Sequence, residues 1–322
     1  MQLSREQWRP SAELSTLRTR ALFLRSVRQF FEQRSVLEVE TPILSRGASV
    51  ERQIDSFRTV DGWWLSTSPE FAMKRLLAAG SGPVWQISRV FRTEEQGRLH
   101  NPEFTMLEWY RPDWTLDRLM DEVEALIRSL APLKGGFERI GYCELIEREM
   151  GLDALACPVG AIAQAVAAAG IPLPETVDEE DRQDRDFWLD LAMGAVIGPR
   201  LGAAAPLFVQ DYPASQAALA RLRPGPRPLA ARFELYWRGI ELANGFHELA
   251  DTAEQRRRFV ADQQWRAVRG RTVPPLDENL LAALAAGLPD CCGVALGLDR
   301  LFMLIAGLPS VAETMAFDAA RA

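Results

Sequence analysis

The sequence predicts an α+β protein. Two observations carry that expectation: hairpin-like runs of β-branched and aromatic residues at 84–110 and 232–244, and amphipathic helical stretches at 11–33, 115–130 and 252–269 that stand apart from them. A mostly helical, alanine-rich region at 141–202 separates the two hairpins and reads as an insertion within a single domain.

Taken in order, Leu14, Leu17, Ala21, Leu24, Val27 and Phe31 recur at intervals of three and four, the spacing of one helical face. Residues 36–41 then read as a strand ended by Pro42. Only about ten residues precede this helix, so no separate amino-terminal domain is expected. Asp61-Gly62 followed by Trp63-Trp64-Leu65-Ser66 has the form of a tight turn, and Thr67-Ser68-Pro69-Glu70 leads into a helix over 71–79 with proline near its first turn. Glu70 and Lys74 are four residues apart. One reading makes them an exposed helical pair worth roughly 0.3–0.5 kcal/mol; the other makes Glu70 a ligand group.

The central stretch is a strand over 84–91, a polar loop over 94–102 broken by Gly97 and Pro102, and a return strand over 104–110. Alternation puts Phe104, Met106, Glu108 and Tyr110 on one face, beside Arg92 and Glu94. A helix over 115–130 follows, its buried stripe Leu116, Leu119, Met120, Val123, Leu126, Ile127 and Leu130. The 141–202 region is broken at Pro158, 171–174 and Gly198-Pro199, with an acidic loop at 178–186, and shows no chemistry.

Strand character returns at 206–212 and at 232–236, which pairs with 239–244 through Trp237-Arg238. A two-residue connection there sets Glu234 directly opposite Glu241, an arrangement that a sheet tolerates when a cation such as Mg²⁺ sits between them. A bulge at Gly239 would instead let the two diverge into solvent. A capped helix at 252–269 carries Arg256-Arg257-Arg258 as a solvated face. A short helix at 276–288, a strand at 291–296 and a helix at 298–305, with Leu301, Phe302, Leu304 and Ile305 inward, complete the chain.

Composition narrows the chemistry. The net charge of −7 argues against general affinity for nucleic acid, while leaving room for a local basic patch. There is no apolar run of about 18 residues or more and no signal-peptide core, so no membrane association is expected and a cytoplasmic location is. Cys143, Cys157, Cys291 and Cys292 lack zinc-type spacing, and reduced thiols are expected. With His100 and His247 the only histidines, a metal would be held by carboxylates, which favours magnesium over zinc.

Three separated blocks resemble the three motifs of the class II aminoacyl-tRNA synthetase catalytic domain: the first helix and strand with Thr41-Pro42, the 92–110 hairpin, and Gly293-Val294-Ala295-Leu296-Gly297-Leu298-Asp299-Arg300. The wording His100-Asn101-Pro102-Glu103-Phe104-Thr105-Met106 and Glu241-Leu242-Ala243-Asn244-Gly245-Phe246-His247-Glu248 is similar to the lysine branch. Without the amino-terminal OB-fold barrel that grips the anticodon, the chain is similar to the synthetase paralogues that attach (R)-β-lysine to a lysine side chain of elongation factor P. The resemblance implies an antiparallel sheet flanked by helices, a homodimer formed through the first motif, ATP with Mg²⁺, and no binding of a tRNA anticodon.

It also implies roles. Arg92 clamps the α-phosphate and the substrate carboxylate, Arg300 holds the γ-phosphate, and Glu234 and Glu241 hold Mg²⁺. Thr93, Glu94, Asn101 and Leu242 line the nucleotide, Phe104 stacks on adenine, Gly297 admits the backbone close to it, and His100 either touches the phosphate tail or is solvated. The β-lysine ammonium groups fall to Glu248 with Tyr110 and to Glu70, with Glu108 either joining them or standing behind; Ser68, Pro69 and Asn244 complete the pocket. Ala295 stands where lysyl-tRNA synthetases carry glycine, and its methyl is expected to disfavour α-lysine. Two other readings compete: a synthetase-like enzyme charging tRNA or a small acceptor, and a non-catalytic paralogue, which would be expected to have lost Arg92, Glu241 or Arg300.

Overall fold

The computed structural model describes residues 8–93, 95–171, 177 and 179–322. In chain order it begins with helix α1 (Leu14–Glu32), short strands β1 (Leu37–Glu38), β2 (Leu44–Ser45) and β3 (Trp64–Leu65), helix α2 (Glu70–Ala78), strands β4 (Val84–Phe91) and β5 (Glu103–Pro112), and helix α3 (Leu116–Leu130). Then come β6 (Glu138–Gly141), α4 (Tyr142–Met150), α5 (Val159–Ala168), α6 (Glu179–Gln183), α7 (Arg185–Leu191), β7 (Leu207–Pro213), β8 (Leu222–Arg223), β9 (Leu229–Trp237) and β10 (Ile240–His247). The chain closes with α8 (Thr252–Val268), α9 (Glu278–Gly287), β11 (Cys291–Gly297) and α10 (Leu298–Ala306). It divides into two compact units, residues 1–133 with 248–322, and residues 134–247.

In the first unit β4, β5 and β11 form an antiparallel sheet with β1 added in parallel at the β4 edge. The two faces of this sheet do different work, because cross-strand partners share a face. Trp85, Trp109 and Val294 line up on one side. There the Phe31 ring of α1 stacks on Trp85 at 4.8 Å and meets Trp109 edge-on at 5.3 Å, while Glu122 of α3 accepts from Trp109 Nε1 at 3.1 Å and pairs with buried Arg111. The opposite face carries the rows Val84–Tyr110–Gly293, Gln86–Glu108–Ala295 and Ser88–Met106–Gly297.

The hairpin of β4 and β5 and the stripe on α3 follow the sequence expectation closely, with Thr115 capping α3 through Arg118 N. On α1 the expected stripe is rotated. The buried residues are Arg20, Phe23, Val27, Phe30 and Phe31, whereas Leu14 is 62% exposed. Two phenylalanines remove more apolar surface from water than the leucine and alanine they displace, and Arg20 is drawn inward by Asp299. The strand expected over 36–41 shrinks to Leu37–Glu38, although Val39 N still donates to Trp85 O at 2.9 Å. On α10 Met303 is buried in place of Leu304 and Ile305.

The second unit is built on β6, β7, β9 and β10, antiparallel except for the parallel β6–β7 pair, with β8 against β9. Ile140, Leu145, Ile162, Leu189 and Ile197 belong to its core, and the partly buried Phe246 packs against it. Two expectations change here. The acidic loop over 178–186 is largely helical, since Asp184 caps α7 through Asp186 N at 2.9 Å; position 178 and positions 172–174 of the expected break lie outside the described residues. The β9–β10 turn is Arg238-Gly239, both at positive φ (52° and 73°), one residue later than expected. Glu241 therefore faces Tyr236, Glu234 faces Asn244, and a bulge falls between Glu241 and Ala243. The two glutamates are not directly opposed; they share a face diagonally.

Candidate active site

In the first unit the floor is the row Gln86–Glu108–Ala295, and the walls come from the segment entering α2 and from the residue that follows β10. Ser68 shapes the entrance to α2: its hydroxyl accepts from Glu70 N at 3.0 Å and donates to Glu108 Oε2 at 2.7 Å, while Tyr110 donates to Glu108 Oε1 at 2.6 Å. Pro69 occupies the position before the first helical residue, so its missing N–H costs no hydrogen bond there. Glu248 is fixed from the backbone, its N–H donating to Cys291 O at 2.9 Å, and its side chain lies over Gly293.

The feature that sequence reasoning missed is Lys74. It is 1% exposed, and its ammonium lies 2.6 Å from both Glu70 and Glu248, the two carboxylates expected to receive substrate ammonium groups. Burial works to lower its pKa, but the charges and hydrogen bonds of Glu248 and Glu70 outweigh that and hold it above the ordinary lysine value. The reading of Glu70 and Lys74 as an exposed helical pair is thus corrected: the pair is buried, and a second carboxylate completes it. Glu108 is equally buried yet has no salt bridge among the described residues, and burial together with the neighbouring charge of Glu70 pushes it up to about 8. Tyr110 is held well above its usual pKa by burial and by Glu108. The glycine at 293 is obligatory, because a Cβ there would overlap the Tyr110 ring and lie 2.6 Å from Glu248 Oε1.

Arg92 follows β4. Its contacts are long, 3.4 Å to Glu95 and 3.4 Å to the Thr67 carbonyl, and its buried Nε has no partner among the described residues. A guanidinium so loosely held is poised for an anion. Its carbon lies 5.1 Å from the centre of the half-buried Phe104 ring. Thr67, which accepts from Arg92, precedes Ser68, which donates to Glu108; successive residues thereby tie the Arg92 guanidinium to the buried carboxyl of Glu108.

Arg300, at the start of α10, donates to Leu99 O at 3.1 Å, and its Nη2 is 2.5 Å from His100 Nε2. Arginine can only donate, so His100 presents an unprotonated Nε2. The chain packed around this surface ring, with the charges of Arg300 and Arg92, lowers the pKa of His100. Asp299 anchors this corner, its Oδ1 paired with Arg20 at 2.5 Å and its Oδ2 accepting from Thr105 N at 2.7 Å. Asn101 holds backbone, donating to Glu103 O at 2.6 Å and accepting from Ala319 N at 3.0 Å, and Thr93 binds Asp55 O through N–H and hydroxyl. Gly297 lies opposite Met106, and Glu94 lies outside the described residues.

In the second unit Glu234 accepts from Tyr212 and Tyr236, each at 2.6 Å, and pairs with Arg232, which also donates to Asn244 Oδ1 at 3.2 Å. Burial alone would lower Arg232, but Glu234, Tyr212 and Glu241 keep it above its ordinary value. The cation that the glutamates needed is therefore first supplied by this guanidinium. Three donors leave about one of the four lone-pair sites of Glu234 for another ligand. Two carboxylates on one face, with no cluster of three or more metal-type ligands among the described residues, fit Mg²⁺, which binds through one or two carboxylates together with phosphates. Leu242 is buried within the bulge.

All four cysteines are free, and no helix among the described residues is long and apolar enough to cross a membrane. A family model described as tRNA synthetases class II (D, K and N) matches residues 6–321. Proteins named elongation factor P--(R)-beta-lysine ligase from Salmonella dublin, Salmonella paratyphi B and Salmonella heidelberg are each 46% identical to this chain, across 98% of its length and 98% of theirs. The chain belongs to the class II tRNA synthetase family, in the group of the D, K and N enzymes.

Proposed function

We propose that the protein activates (R)-β-lysine with ATP as an aminoacyl-adenylate and transfers it to a lysine side chain of elongation factor P. The observation that carries this reading is the junction at Thr67-Ser68: a clamp for a carboxylate and phosphate, Arg92, adjoins a buried pocket rich in carboxylates. A diamino acid has the matching ends. Its relatives' shared name supplies β-lysine and elongation factor P.

Adenylation joins a substrate carboxylate oxygen to the α-phosphorus of ATP and releases pyrophosphate. The carboxylate is already ionised near pH 7, so no general base is needed and catalysis is positioning plus charge neutralisation. Arg92 brings the two anions together, Arg300 holds the phosphate tail while His100 orients its guanidinium by accepting from Nη2, and the Phe104 ring is placed for adenine stacking. Glu234 and Glu241 would hold Mg²⁺, which supplies further neutralisation of phosphate charge. Glu70, Glu248, Tyr110 and Glu108 receive the ammonium groups, and the Ala295 methyl beside Glu108 trims the pocket floor. The amine of the protein acceptor then attacks the carbonyl carbon of the adenylate: the C–N bond forms, the C–O bond to AMP breaks, and AMP and the amine's proton are released.

We further propose a homodimer through the outer face of α1 and the strands after it, where Leu14, Leu22, Leu37, Ile43 and Leu44 are 40–62% exposed. The cytoplasm is the expected location. Incubation with ATP, (R)-β-lysine and either elongation factor P or bulk tRNA tests the reading by mass spectrometry. Elongation factor P should gain one β-lysyl group; labelling of tRNA with unchanged elongation factor P would overturn it.

A further inference from the structure

A diamino acid brings two ammonium groups, and the pocket already contains a third. Lys74 sits between Glu70 and Glu248 with both contacts at 2.6 Å, so those carboxylates are charge-compensated in part before any substrate arrives. Counting Glu70, Glu248 and Lys74 alone, the empty pocket has one net negative charge for two incoming positive ones. The carboxyl left over is Glu108. It is 1% exposed, and the groups around it are Tyr110 on its own strand, Gln86 on β4, Ala295 on β11, Ser68 and Glu70 from the α2 segment, and Glu248, with Lys74 beyond them bound to Glu70 and Glu248. Only neutral hydroxyls donate to it, and its charged carboxylate neighbours are of its own sign.

Gln86 adds an independent observation. It is 4% exposed, shares the face of Glu108 in the directly opposed position, and its side-chain oxygen is buried without a hydrogen-bond partner. A buried orphan acceptor carries a desolvation penalty that is removed when a donor arrives. An ammonium is such a donor, and it is the group that would also draw the proton from Glu108.

We propose that Glu108 and Gln86 form the seat of one substrate ammonium, and that this ammonium enters as the Glu108 carboxyl releases its proton to solvent. The O–H bond of the carboxylic acid breaks, the electron pair stays on the carboxylate, and the pocket reaches two net negative charges against two ammonium groups. This deepens the β-lysine reading and rests on it.

Calorimetric titration of the protein with (R)-β-lysine and with α-lysine, in buffers of different ionisation enthalpy, measures the proton exchange directly. With Glu108 near 8 in the empty pocket, about 0.9 proton should leave per site at pH 7 and about half at pH 8. Affinity should rise about tenfold between pH 6 and 7 and level off above pH 8. Glu108→Gln, which keeps the side-chain shape, should abolish the release. Gln86→Met should weaken the diamino acids tenfold or more while proton release persists. Binding with no proton exchange, or release undiminished in Glu108→Gln, overturns the proton linkage; unchanged affinity in Gln86→Met overturns the seat. Failure of both lysine isomers to bind would instead refute the underlying assignment of substrate.

Discussion

Replacing Lys74 by methionine removes an ammonium that is 1% exposed and equidistant, at 2.6 Å, from two carboxylates, themselves 12% and 1% exposed at the side chain. Methionine has nearly the same length, so the change leaves little cavity and isolates the electrostatic loss. Removing one partner of a buried ion pair typically destabilises by roughly 3–5 kcal/mol, because an uncompensated charge remains. For a unit of this size, at about 2–4 °C per kcal/mol, melting should fall by roughly 6–20 °C. The pH dependence has a definite sign. Lys74 has a raised folded pKa, so its contribution is full throughout the range below the free lysine value and constant from pH 5 to 8. In the variant the abandoned carboxylates favour their protonated forms, which stabilise at low pH and are lost as pH rises. The deficit against wild type should therefore widen from pH 5 to pH 8, as read by calorimetric melting. A deficit under about 1 kcal/mol that is flat with pH would refute the buried arrangement.

Gly293→Ala would push a methyl into the Tyr110 ring and toward Glu248; a stability loss of about 1–3 kcal/mol is expected, with β-lysine KM raised at least tenfold and ATP KM unchanged. Equal effects on both KM values would deny Gly293 a role confined to the amino acid. Ala295→Gly should shift the ratio of α-lysine to β-lysine activation toward α-lysine by about 10–200-fold, measured by pyrophosphate exchange; an unchanged ratio removes the methyl from the account of specificity. Acidification below the ordinary imidazole range should raise the ATP KM, since a protonated His100 loses the lone pair facing Arg300 and repels it. An ATP KM that stays constant down to pH 5 would leave His100 no part in holding the nucleotide.

Much of this site was legible because strand periodicity is strict. The positions of Glu108, Tyr110 and Phe104 on one face follow from alternation alone, and β4 and β5 lie where residue types placed them. Register across a turn was another matter. Whether the β9–β10 connection is Trp237-Arg238 or Arg238-Gly239 depends on which residues accept positive φ, and Arg238 does so despite being neither glycine nor asparagine; that single step moved Glu241 from Glu234 to Tyr236. Lys74 was overlooked for a related reason. Its spacing from Glu70 is the same whether the pair is solvated or buried, and Glu248, the partner that decides the matter, is 174 residues away in the sequence. Its rarity as one of two lysines in the chain was the available clue. Gln86 gave no signal, since a polar residue in a strand ordinarily faces water, and on α1 the competing apolar faces could be ranked only by what packs on them.

Asp299 has a temporal consequence. Its two oxygens reach Arg20, 279 positions earlier, and Thr105, 194 positions earlier, and the first unit is completed only by residues 248–322. During synthesis the stretch 134–247 is wholly made while the strands before it still lack β11, Glu248 and the helix that presents Arg300. Contacts of such long range close late in folding. A nascent chain therefore cannot bring Glu248, β11 and Arg300 to the sheet of β4 and β5 until the whole of 134–247 has been made, so the first unit closes in one late step.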